Sequence, residues 1–469
     1  MDFSEIIETF KQDGFNTDCK EMVLTQNKIG GARLEGPGYI RQSEDGTLIF
    51  KIYVSKRENI NPIDDINDRF GGVPGKLHAE GMFYDLLAIG RDGTQWTAPR
   101  ILPSLSWDMS DSSVLVTGQM SNLRARMPSS HLHPYLRLHF FEQYEVPLNR
   151  MTATELHGER TMVLDTAEFE ALGSKFEVCK RGNDTIFEIQ SETDFPEAFH
   201  LRVQEALQYL TAKPANWRAR MEVKGADICL ELASPMRRSE RTQFSPPLSP
   251  ASSGFHRSGW QLFACFLAYV SAQTKNTHWN PIAYHLHNAC EATANSIDAW
   301  AMGCSVAVEA VAGAVQLDQD NEKAKRVTEL KIRMLRYLEA QIDFEDMMPR
   351  MKGLIGTLGQ ERVQDKMYHL VATGHVDPVY VKAWGRLRNR LVHPKIKDLR
   401  KPDSVDMQNL LDLIHQVEVL LRQITFYLID YTGPFTDYGT DGFPTKQYPM
   451  MPPVAGPLTE NVKQADQGV

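Results

Sequence analysis

The stretch Asp377-Pro-Val-Tyr-Val-Lys-Ala-Trp-Gly-Arg-Leu-Arg-Asn-Arg-Leu-Val-His393 carries the signals of one complete amphipathic helix. Asp followed by Pro is typical of an N-cap and a first helical position, and Pro394 disfavours helical backbone in the residue before it. On a wheel of about 100° per residue, one side of the helix is apolar and predicts a buried face made of Tyr380, Trp384, Leu387 and Leu391. This stretch therefore predicts a helix that packs against others and ends at His393.

Helical patterns continue on both sides of this stretch, from about residue 282 to residue 428. Residues 284–315 are rich in Ala with few breakers and predict one long helix, and residues 327–338 belong to a second. Shorter pieces follow near residues 351–358 and 360–372. The last helix, over residues 404–429, has an apolar stripe of Met407, Leu410, Leu411, Ile414, Val417, Leu421, Ile424 and Leu428. Four main helices of this kind predict a four-helix bundle over residues 284–431.

The first half of the chain has a different pattern. Short alternating runs such as Leu48-Ile-Phe-Lys-Ile-Tyr-Val54 are separated by Gly, Pro, Asp and Asn, which predicts antiparallel strands. Two helices are expected among them, over residues 76–89 and 196–211. The predicted fold class is a multidomain α+β protein, with a β-rich domain over residues 1–234 followed by the all-α bundle.

The segments around the bundle are less regular. Residues 235–258 are rich in Ser, Pro and Arg and predict a mobile linker, whose basic residues are expected in solvent rather than on RNA. Residues 259–283 form a connecting segment with a buried apolar element at 260–270. Residues 432–469 predict an arm with packed aromatic side chains and then a disordered end from about residue 455.

Composition limits what the protein can bind. The chain has 469 residues and a formal net charge of −9, so any nucleic-acid site must be local. Its six cysteines form no Cys-x-x-Cys pair, which predicts reduced thiols rather than a disulfide framework or a zinc site. The N-terminus has no signal-peptide pattern, and no apolar run approaches the ~20 residues of a spanning helix. We expect a cytoplasmic protein without a membrane segment.

Two motifs that suggest cofactors are weak. The pairs Gly30-Gly31 and Gly71-Gly72 are not followed by the residues of a phosphate-binding loop and are interpreted as turns. His131 and His133 with His139 could offer metal ligands from a strand, but no adjacent Cys, Asp or Glu completes a set. We expect neither a metal nor a cofactor.

The C-terminal part of the predicted helix over residues 377–393 carries an unusual set of charges. Arg388 lies about 40° from Trp384 on the wheel, at the edge of the apolar stripe, where a guanidinium needs a partner. Glu309 is equally unexpected within the apolar run 305–312, so each residue is predicted to pair with the other. The segment 380–401 contains eight Lys and Arg residues and one acid, Asp398, a net charge of +7. This charge is typical either of an anion-facing patch or of a solvated helix end.

Asn389 and His393 are four residues apart, so the amide can orient the imidazole ring. The helix dipole favours the protonated ring, whereas the flanking cations oppose it. A histidine under both influences can titrate near neutrality, as general acid–base chemistry requires.

The run Arg388-Asn-Arg-Leu-Val-His393 resembles the R-x4-6-H signature of HEPN-domain ribonucleases, including the polar residue after the Arg and the Pro after the His. The N-terminal half faintly resembles the sensor region of ApeA-like anti-phage members. The resemblance implies a metal-independent endoribonuclease, in which a ribose 2′-hydroxyl attacks the adjacent phosphate at a site shared by two bundles. It implies His393 as general acid or base, Arg388 stabilising the transition state and Asn389 contacting phosphate.

Glu309 is predicted to support the catalytic residues through its pairing with Arg388. The RNA-binding residues are predicted to be Lys382, Arg386, Arg390 and Lys395. Arg388 and His393 are about 140° apart on a regular helix. Either the last turn is loosened, or each residue works with its counterpart from a second subunit.

The leading hypothesis is therefore a homodimeric endoribonuclease, a toxin or abortive-infection effector of anti-phage defence whose N-terminal domain senses an unidentified trigger or ligand. The alternative is a non-catalytic bundle for RNA binding or dimerisation, with Arg388 and Glu309 as a structural ion pair. For an enzyme in the β-rich domain, the sequence offers no constellation of catalytic residues.

Overall fold

The computed structural model describes residues 3–60, 75–108, 113–128, 133–156, 159–236, 243–273, 279–317, 321–340, 347–359, 361–392 and 404–450. The chain divides into two compact units. Unit 1 comprises Met1–Ser239 with Val270–His278, and unit 2 comprises Glu240–Tyr269 with Trp279–Val469. Unit 1 is built on a large antiparallel sheet and unit 2 on helices, which confirms the predicted multidomain α+β class.

The strands of unit 1 pair with their neighbours in antiparallel order. Within the described residues they form one sixteen-stranded antiparallel sheet. In chain order the strands are β1 (Asn16–Gln26), β2 (Arg33–Gln42), β3 (Leu48–Val54), β4 (Lys56–Glu58), β5 (Tyr84–Gly90), β6 (Gln95–Ile101), β7 (Ser104–Trp107), β8 (Val114–Met120), β9 (Asn122–Pro128), β10 (Tyr135–Phe140), β11 (Arg150–Leu156), β12 (Glu159–Ala171), β13 (Ser174–Arg181), β14 (Asp184–Ser191), β15 (Ala219–Lys224) and β16 (Asp227–Ala233).

The order across the sheet is β11-β12-β13-β14-β10-β15-β16-β9-β6-β5-β1-β2-β3-β8-β7, with β4 paired to β2. Alternate residues of a strand point to opposite faces. Apolar residues of strands β1–β3, β5–β9, β15 and β16 pack around helix α1 (Phe3–Lys11). Phe10 of α1 is fully buried in this core beside Phe15 and Phe141.

The two helices predicted within unit 1 have different outcomes. The helix expected over residues 196–211 is present as α2 (Phe199–Thr211) and is buried on nearly all sides. The helix expected over residues 76–89 is wrong: a 3-10 turn at Glu80–Met82 leads directly into β5. Burial alternates along β5, and its pairing with both β1 and β6 overrides the local helical pattern.

Unit 2 contains most of the remaining helices. They are α3 (Phe255–Gln273), α4 (Pro281–Ala292), α5 (Ile297–Gly313), α6 (Asn321–Glu339), α7 (Met348–Gly356), α8 (Val363–Ala372), α9 (Pro378–Val392) and α10 (Ser404–Leu428). The division between the units falls within α3. The buried element predicted at residues 260–270 is confirmed as part of this helix, with Leu262, Phe263 and Phe266 fully buried.

The single long helix expected over residues 284–315 is wrong, because the chain folds back between α4 and α5. Ser296 is the N-cap of α5, and its side chain accepts a hydrogen bond from the Ala299 amide at 3.1 Å. A Cβ on Gly303 would lie 2.7 Å from the Cβ of Ala292. The close contact of α4 with α5 therefore requires glycine at this position.

Helix α5 is central in unit 2 and packs against α4, α8, α9 and α10, while α9 also packs against α8 and α10. Helix α6 packs against α7. The helices expected over residues 327–338, 351–358, 360–372 and 404–429 are confirmed as α6, α7, α8 and α10, with small shifts of their ends.

The segment before α3 is packed more closely than expected, and the segment after α10 is packed as expected. Phe244 and Leu248 are buried, so the part of the 235–258 stretch that begins at residue 243 is packed rather than solvated. After α10, strands β17 (Gly433–Thr436) and β18 (Thr445–Tyr448) form a hairpin. Phe435 and Tyr448 pack on Phe426, which confirms the packing role of these aromatic residues. Residues from 451 onward, including the predicted disordered end, lie outside the described residues.

Candidate functional site

Helix α9 begins where the sequence predicted. The backbone N–H of Val379 donates a hydrogen bond to Asp377 Oδ1 at 2.8 Å, so Asp377 is the N-cap and Pro378 the first helical residue. The helix is described as far as Val392. His393, Lys395 and the rest of the basic run to Lys401 lie outside the described residues.

The apolar face of α9 contacts α5. Tyr380, Trp384 and Leu387 are buried, as the wheel predicted, and Leu391 is half-buried. The indole Nε1–H of Trp384 donates a hydrogen bond to the Ser305 carbonyl at 3.2 Å. This bond fixes the position of α9 along α5 at a point one helical turn before Arg388.

Arg388 and Glu309 form the predicted ion pair, with Arg388 Nε 3.5 Å from Glu309 Oε2. The contact lies four residues beyond the Trp384–Ser305 bond on both helices, so α5 and α9 run side by side in the same direction here. The guanidinium carbon also lies 5.9 Å from the centre of the Trp384 ring. Arg388 is thus held by an acid and an aromatic face.

The pair is more exposed than the sequence suggested. The Arg388 side chain is 44% exposed and that of Glu309 is 48% exposed. A solvent-screened pair with one nitrogen–oxygen contact stabilises a fold by only about 0–1 kcal/mol. Within the described residues, Arg388 forms no hydrogen bond or further ion pair. In this part of the chain, most of its donor groups therefore have no partner.

The polar residues of α9 form a second group on a different face. Lys382, Arg386 and Asn389 are exposed, and Arg390 is half-buried. Residues three or four apart are neighbours on a helix, so these side chains form a continuous basic ridge. Arg388 lies roughly 100° to 160° around the helix from Lys382, Arg386 and Asn389. The structure brings Arg388 to Glu309 but does not bring it onto the ridge.

The histidines considered as metal ligands do not form a metal site in the described part of the chain. His139 is buried on β10, where burial and the nearby Arg137 lower the pKa of its imidazole to about 3. Its Nε2 has no hydrogen-bond partner among the described residues. His131 lies outside them, and no group of three or more His, Cys, Asp or Glu within them is arranged to hold a metal ion.

Unit 2 contains a buried polar cluster that was not predicted from the sequence. Glu418 of α10 is 1% exposed and accepts a hydrogen bond from Trp300 Nε1–H at 2.8 Å. Burial raises the pKa of this carboxyl to about 7, although the nearby Arg422 opposes that shift. Arg422 donates to the Ser245 carbonyl at 2.7 Å and lies over the Phe244 ring.

A signal for this cluster is present in the sequence. Glu418 and Arg422 are four residues apart, the spacing of a helical ion pair, and each directly follows a residue of the predicted apolar stripe. The two residues pack the segment around Ser245 onto α10. The cluster therefore explains why that segment is ordered.

No protein-family model, no curated protein and no solved structure matches this chain. Among the described helices, none combines the length and apolar character needed to cross a membrane.

Proposed function

We propose that the chain is a metal-independent endoribonuclease of the HEPN type, acting as a cytoplasmic toxin or abortive-infection effector in anti-phage defence. The observation that carries this proposal is the state of Arg388. Its guanidinium is anchored by Glu309 and Trp384, yet it is 44% exposed and keeps donor groups available. An anchored, partly exposed guanidinium is suited to stabilising negative charge on a phosphate.

The proposed reaction needs a base, an acid and a stabiliser of charge. The ribose 2′-oxygen forms a bond to the adjacent phosphorus, the bond from phosphorus to the 5′-oxygen breaks, and the products are a 2′,3′-cyclic phosphate and a 5′-hydroxyl. His393 takes the proton from the 2′-hydroxyl or gives one to the 5′-oxygen. Arg388 stabilises the charge on the phosphate, and Asn389 contacts phosphate or orients the histidine.

The proposal includes a HEPN-like helical bundle and a homodimer. In support of the bundle, α5, α9 and α10 pack against one another, and α4 packs against α5. Two bundles that face each other would provide two histidines, one as base and one as acid. The ridge of Lys382, Arg386 and Arg390, continued by Lys395, would contact the RNA backbone.

One observation favours a second candidate function. Arg388 already has an acidic and an aromatic partner within its own chain, which suits a non-catalytic bundle used for RNA binding or dimerisation. The exposure of the Arg388–Glu309 pair favours the catalytic function, because an exposed ion pair adds little stability to a fold. A purely structural role predicts that removing Arg388 changes stability and leaves RNA processing untouched.

The test is induced expression of the wild-type chain beside His393→Ala and Arg388→Ala, followed by sequencing of cellular RNA ends. We expect 5′-hydroxyl ends to accumulate with the wild type and to fall by about 100-fold or more in both variants. Arg350→Ala is the matched control, because Arg350 is an exposed arginine on α7. Purified protein should also cleave RNA in the presence of EDTA.

Cleavage that is unchanged in both His393→Ala and Arg388→Ala would refute the assigned site. RNA binding without cleavage, from wild-type protein that is toxic to its host, would favour the non-catalytic bundle instead. Cleavage that stops on adding EDTA would contradict the metal-independent mechanism.

A further inference from the structure

Unit 1 contains a cavity of about 1140 Å³ over strands β2, β3 and β8. Residues 102–104 and 234–236 also line it. The opposite face of the same strands carries core residues such as Ile40, Ile52 and Val116. Because strand residues alternate between faces, the residues between these core positions point to the cavity side. They are mostly polar or charged.

The strand register arranges these side chains in two rows. In the first row Tyr39 lies opposite Lys51, and Lys51 lies opposite Thr117, with Ser104 of β7 beyond it. The second row contains Arg41, Ile49 and Gln119. Arg41 and Lys51 are therefore diagonal neighbours, at a typical separation of about 7–8 Å. Both cations can contact one phosphate group or two linked ones.

Among the described residues, Arg41 and Lys51 have no carboxylate partner. Neither Arg41 nor Lys51 forms an ion pair with another described residue; their assigned contacts are with the rings of Tyr39 and Tyr53. Asp45 also lines the cavity, but it accepts hydrogen bonds within its own turn from Ser43 Oγ at 2.6 Å and the Thr47 amide at 3.1 Å. Arg41 and Lys51 outnumber the single carboxylate among the described lining residues, so the local potential is positive and favours an anionic ligand.

Neutral donors add to this arrangement. The side chains of Ser104, Thr117 and Gln119 line the cavity and make no hydrogen bond to another described residue. They stand beside the cations in the two rows. A phosphate or ribose held by the cations would find hydroxyl and amide groups within the same cavity.

The cavity also has a surface for a planar, weakly polar group. The Arg41 guanidinium carbon lies 4.8 Å from the centre of the Tyr39 ring. Leu102, Pro103 and Met236 contribute apolar surface, and Leu102 and Met236 are exposed. Nucleic-acid bases stack on aromatic rings and on guanidinium planes, and they pack against apolar side chains.

We propose that this cavity binds a mononucleotide, with its phosphates on Arg41 and Lys51 and its base against the Arg41–Tyr39 stack or the apolar side chains. Its volume of about 1140 Å³ lies slightly above the range of typical small-molecule pockets, roughly 300–1,000 Å³, so a mononucleotide can enter. The proposal is independent of ribonuclease activity, because it concerns residues of unit 1 alone.

The experiment is isothermal titration calorimetry of the purified full-length chain with ATP, adenosine and inorganic triphosphate. ATP should bind at least about tenfold more tightly than adenosine, because adenosine lacks the groups that Arg41 and Lys51 recognise. ATP should also bind more tightly than inorganic triphosphate, because triphosphate lacks the base. Arg41→Gln and Lys51→Gln should each weaken ATP binding about tenfold or more.

Arg91→Gln is the matched control and should bind ATP as the wild type does. It removes the same charge from an arginine whose side chain is 79% exposed and lies outside the cavity. Gln119→Glu is a second test at an exposed strand position, and it should weaken ATP binding by charge repulsion without removing a cation. Circular dichroism of every variant verifies that the sheet is folded.

Three results would overturn the proposal. The first is the absence of ATP binding at millimolar concentration. The second is equal ATP affinity of the wild type and of folded Arg41→Gln, Lys51→Gln and Gln119→Glu. The third is tighter binding of a single-stranded oligouridylate than of ATP with loss in the same variants, which would assign the face to RNA.

Discussion

The Nε of Arg388 lies 3.5 Å from Oε2 of Glu309, in a pair that links two parallel neighbouring helices and leaves both side chains nearly half exposed. The helices are already fixed one turn earlier by the Trp384–Ser305 hydrogen bond. Because solvent screens the ion pair, it adds little to the stability of the fold. Its main effect is to set where the guanidinium lies. Stability and activity can therefore be separated experimentally at this position.

Arg388→Lys tests the planar guanidinium itself. The charge remains near Glu309, so the free energy of unfolding should change by less than about 1 kcal/mol. A lysine cannot reproduce the two-pronged donor geometry of arginine, so RNA cleavage should fall at least about tenfold. The measurement combines urea unfolding with a cleavage assay on a labelled RNA. Glu309→Gln is the companion variant, with an equally small change in stability.

A loss of several kcal/mol in both variants, with cleavage per folded molecule unchanged, would identify the pair as structural. That outcome would favour the non-catalytic bundle.

The basic ridge on α9 predicts a salt-dependent interaction with RNA. In a His393→Ala background, which prevents cleavage, Lys382→Gln and Arg386→Gln should each weaken binding at low salt. The slope of log affinity against log salt should become shallower by about 0.7 for each phosphate of single-stranded RNA that the variant no longer neutralises. Fluorescence anisotropy over a range of salt concentrations measures this slope. Arg350→Gln, an exposed arginine of α7, should leave it unchanged, and equal slopes in all variants would exclude the ridge from the interface.

The geometry of α9 was predictable because its signals are local. The cap at Asp377 and the buried side with Tyr380, Trp384 and Leu387 follow from the sequence of one helix. The Arg388–Glu309 pair was predictable for a related reason, since a charge on an apolar stripe requires a partner. Arg388 and Glu309 are two such charges in the same helical region, so each was the natural partner of the other.

The features that the sequence did not predict depend on distant parts of the chain. Strand β5 was expected to be a helix because its own residues permit one, but β1 and β6 supply pairing on both sides. The turn before Ser296 was hidden in an Ala-rich run, although a serine N-cap was its signal. The positions of Ser245 and Phe244 against α10 depend on a contact 177 residues away along the chain. No local pattern encodes that contact.

Tyr380→Phe tests how the C-terminal hairpin is attached to α9. The Tyr380 hydroxyl donates to Asp437, with oxygen–oxygen distances of 2.6 and 2.8 Å, and Asp437 is fully buried. Burial and this carboxylate raise the pKa of the Tyr380 phenol. A hydrogen bond to a charged group contributes about 1.5–3 kcal/mol, so the free energy of unfolding should fall by that amount.

Tyr368→Phe is the control for this measurement, since Tyr368 is 44% exposed on α8. The control should change stability by less than about 0.5 kcal/mol. Equal losses in the two variants would show that the Asp437 contact does not stabilise the hairpin.

Glu418→Gln tests the buried carboxyl between α5 and α10. Burial raises the pKa of Glu418 from its ordinary 4.5 to about 7 in the folded chain. Because the folded protein binds this proton more tightly than the unfolded one, the stabilisation is fully present below about pH 4.5 and is lost as pH rises through 7. From pH 5 to pH 8, the wild type should therefore lose on the order of 2 kcal/mol relative to Glu418→Gln.

The measurement is urea unfolding of both proteins at several pH values. The free energy of unfolding of the variant is subtracted from that of the wild type, because the contributions of other titrating groups then cancel. The amide introduced by Glu418→Gln would keep an acceptor for the Trp300 indole, so any constant offset reflects Arg422 without its neighbouring carboxylate. Glu339→Gln is the control, because its contact with Lys352 lowers the pKa of Glu339 and places its titration below this window. A wild-type minus Glu418→Gln difference that stays flat from pH 5 to pH 8 would mean that Glu418 does not change protonation in that range.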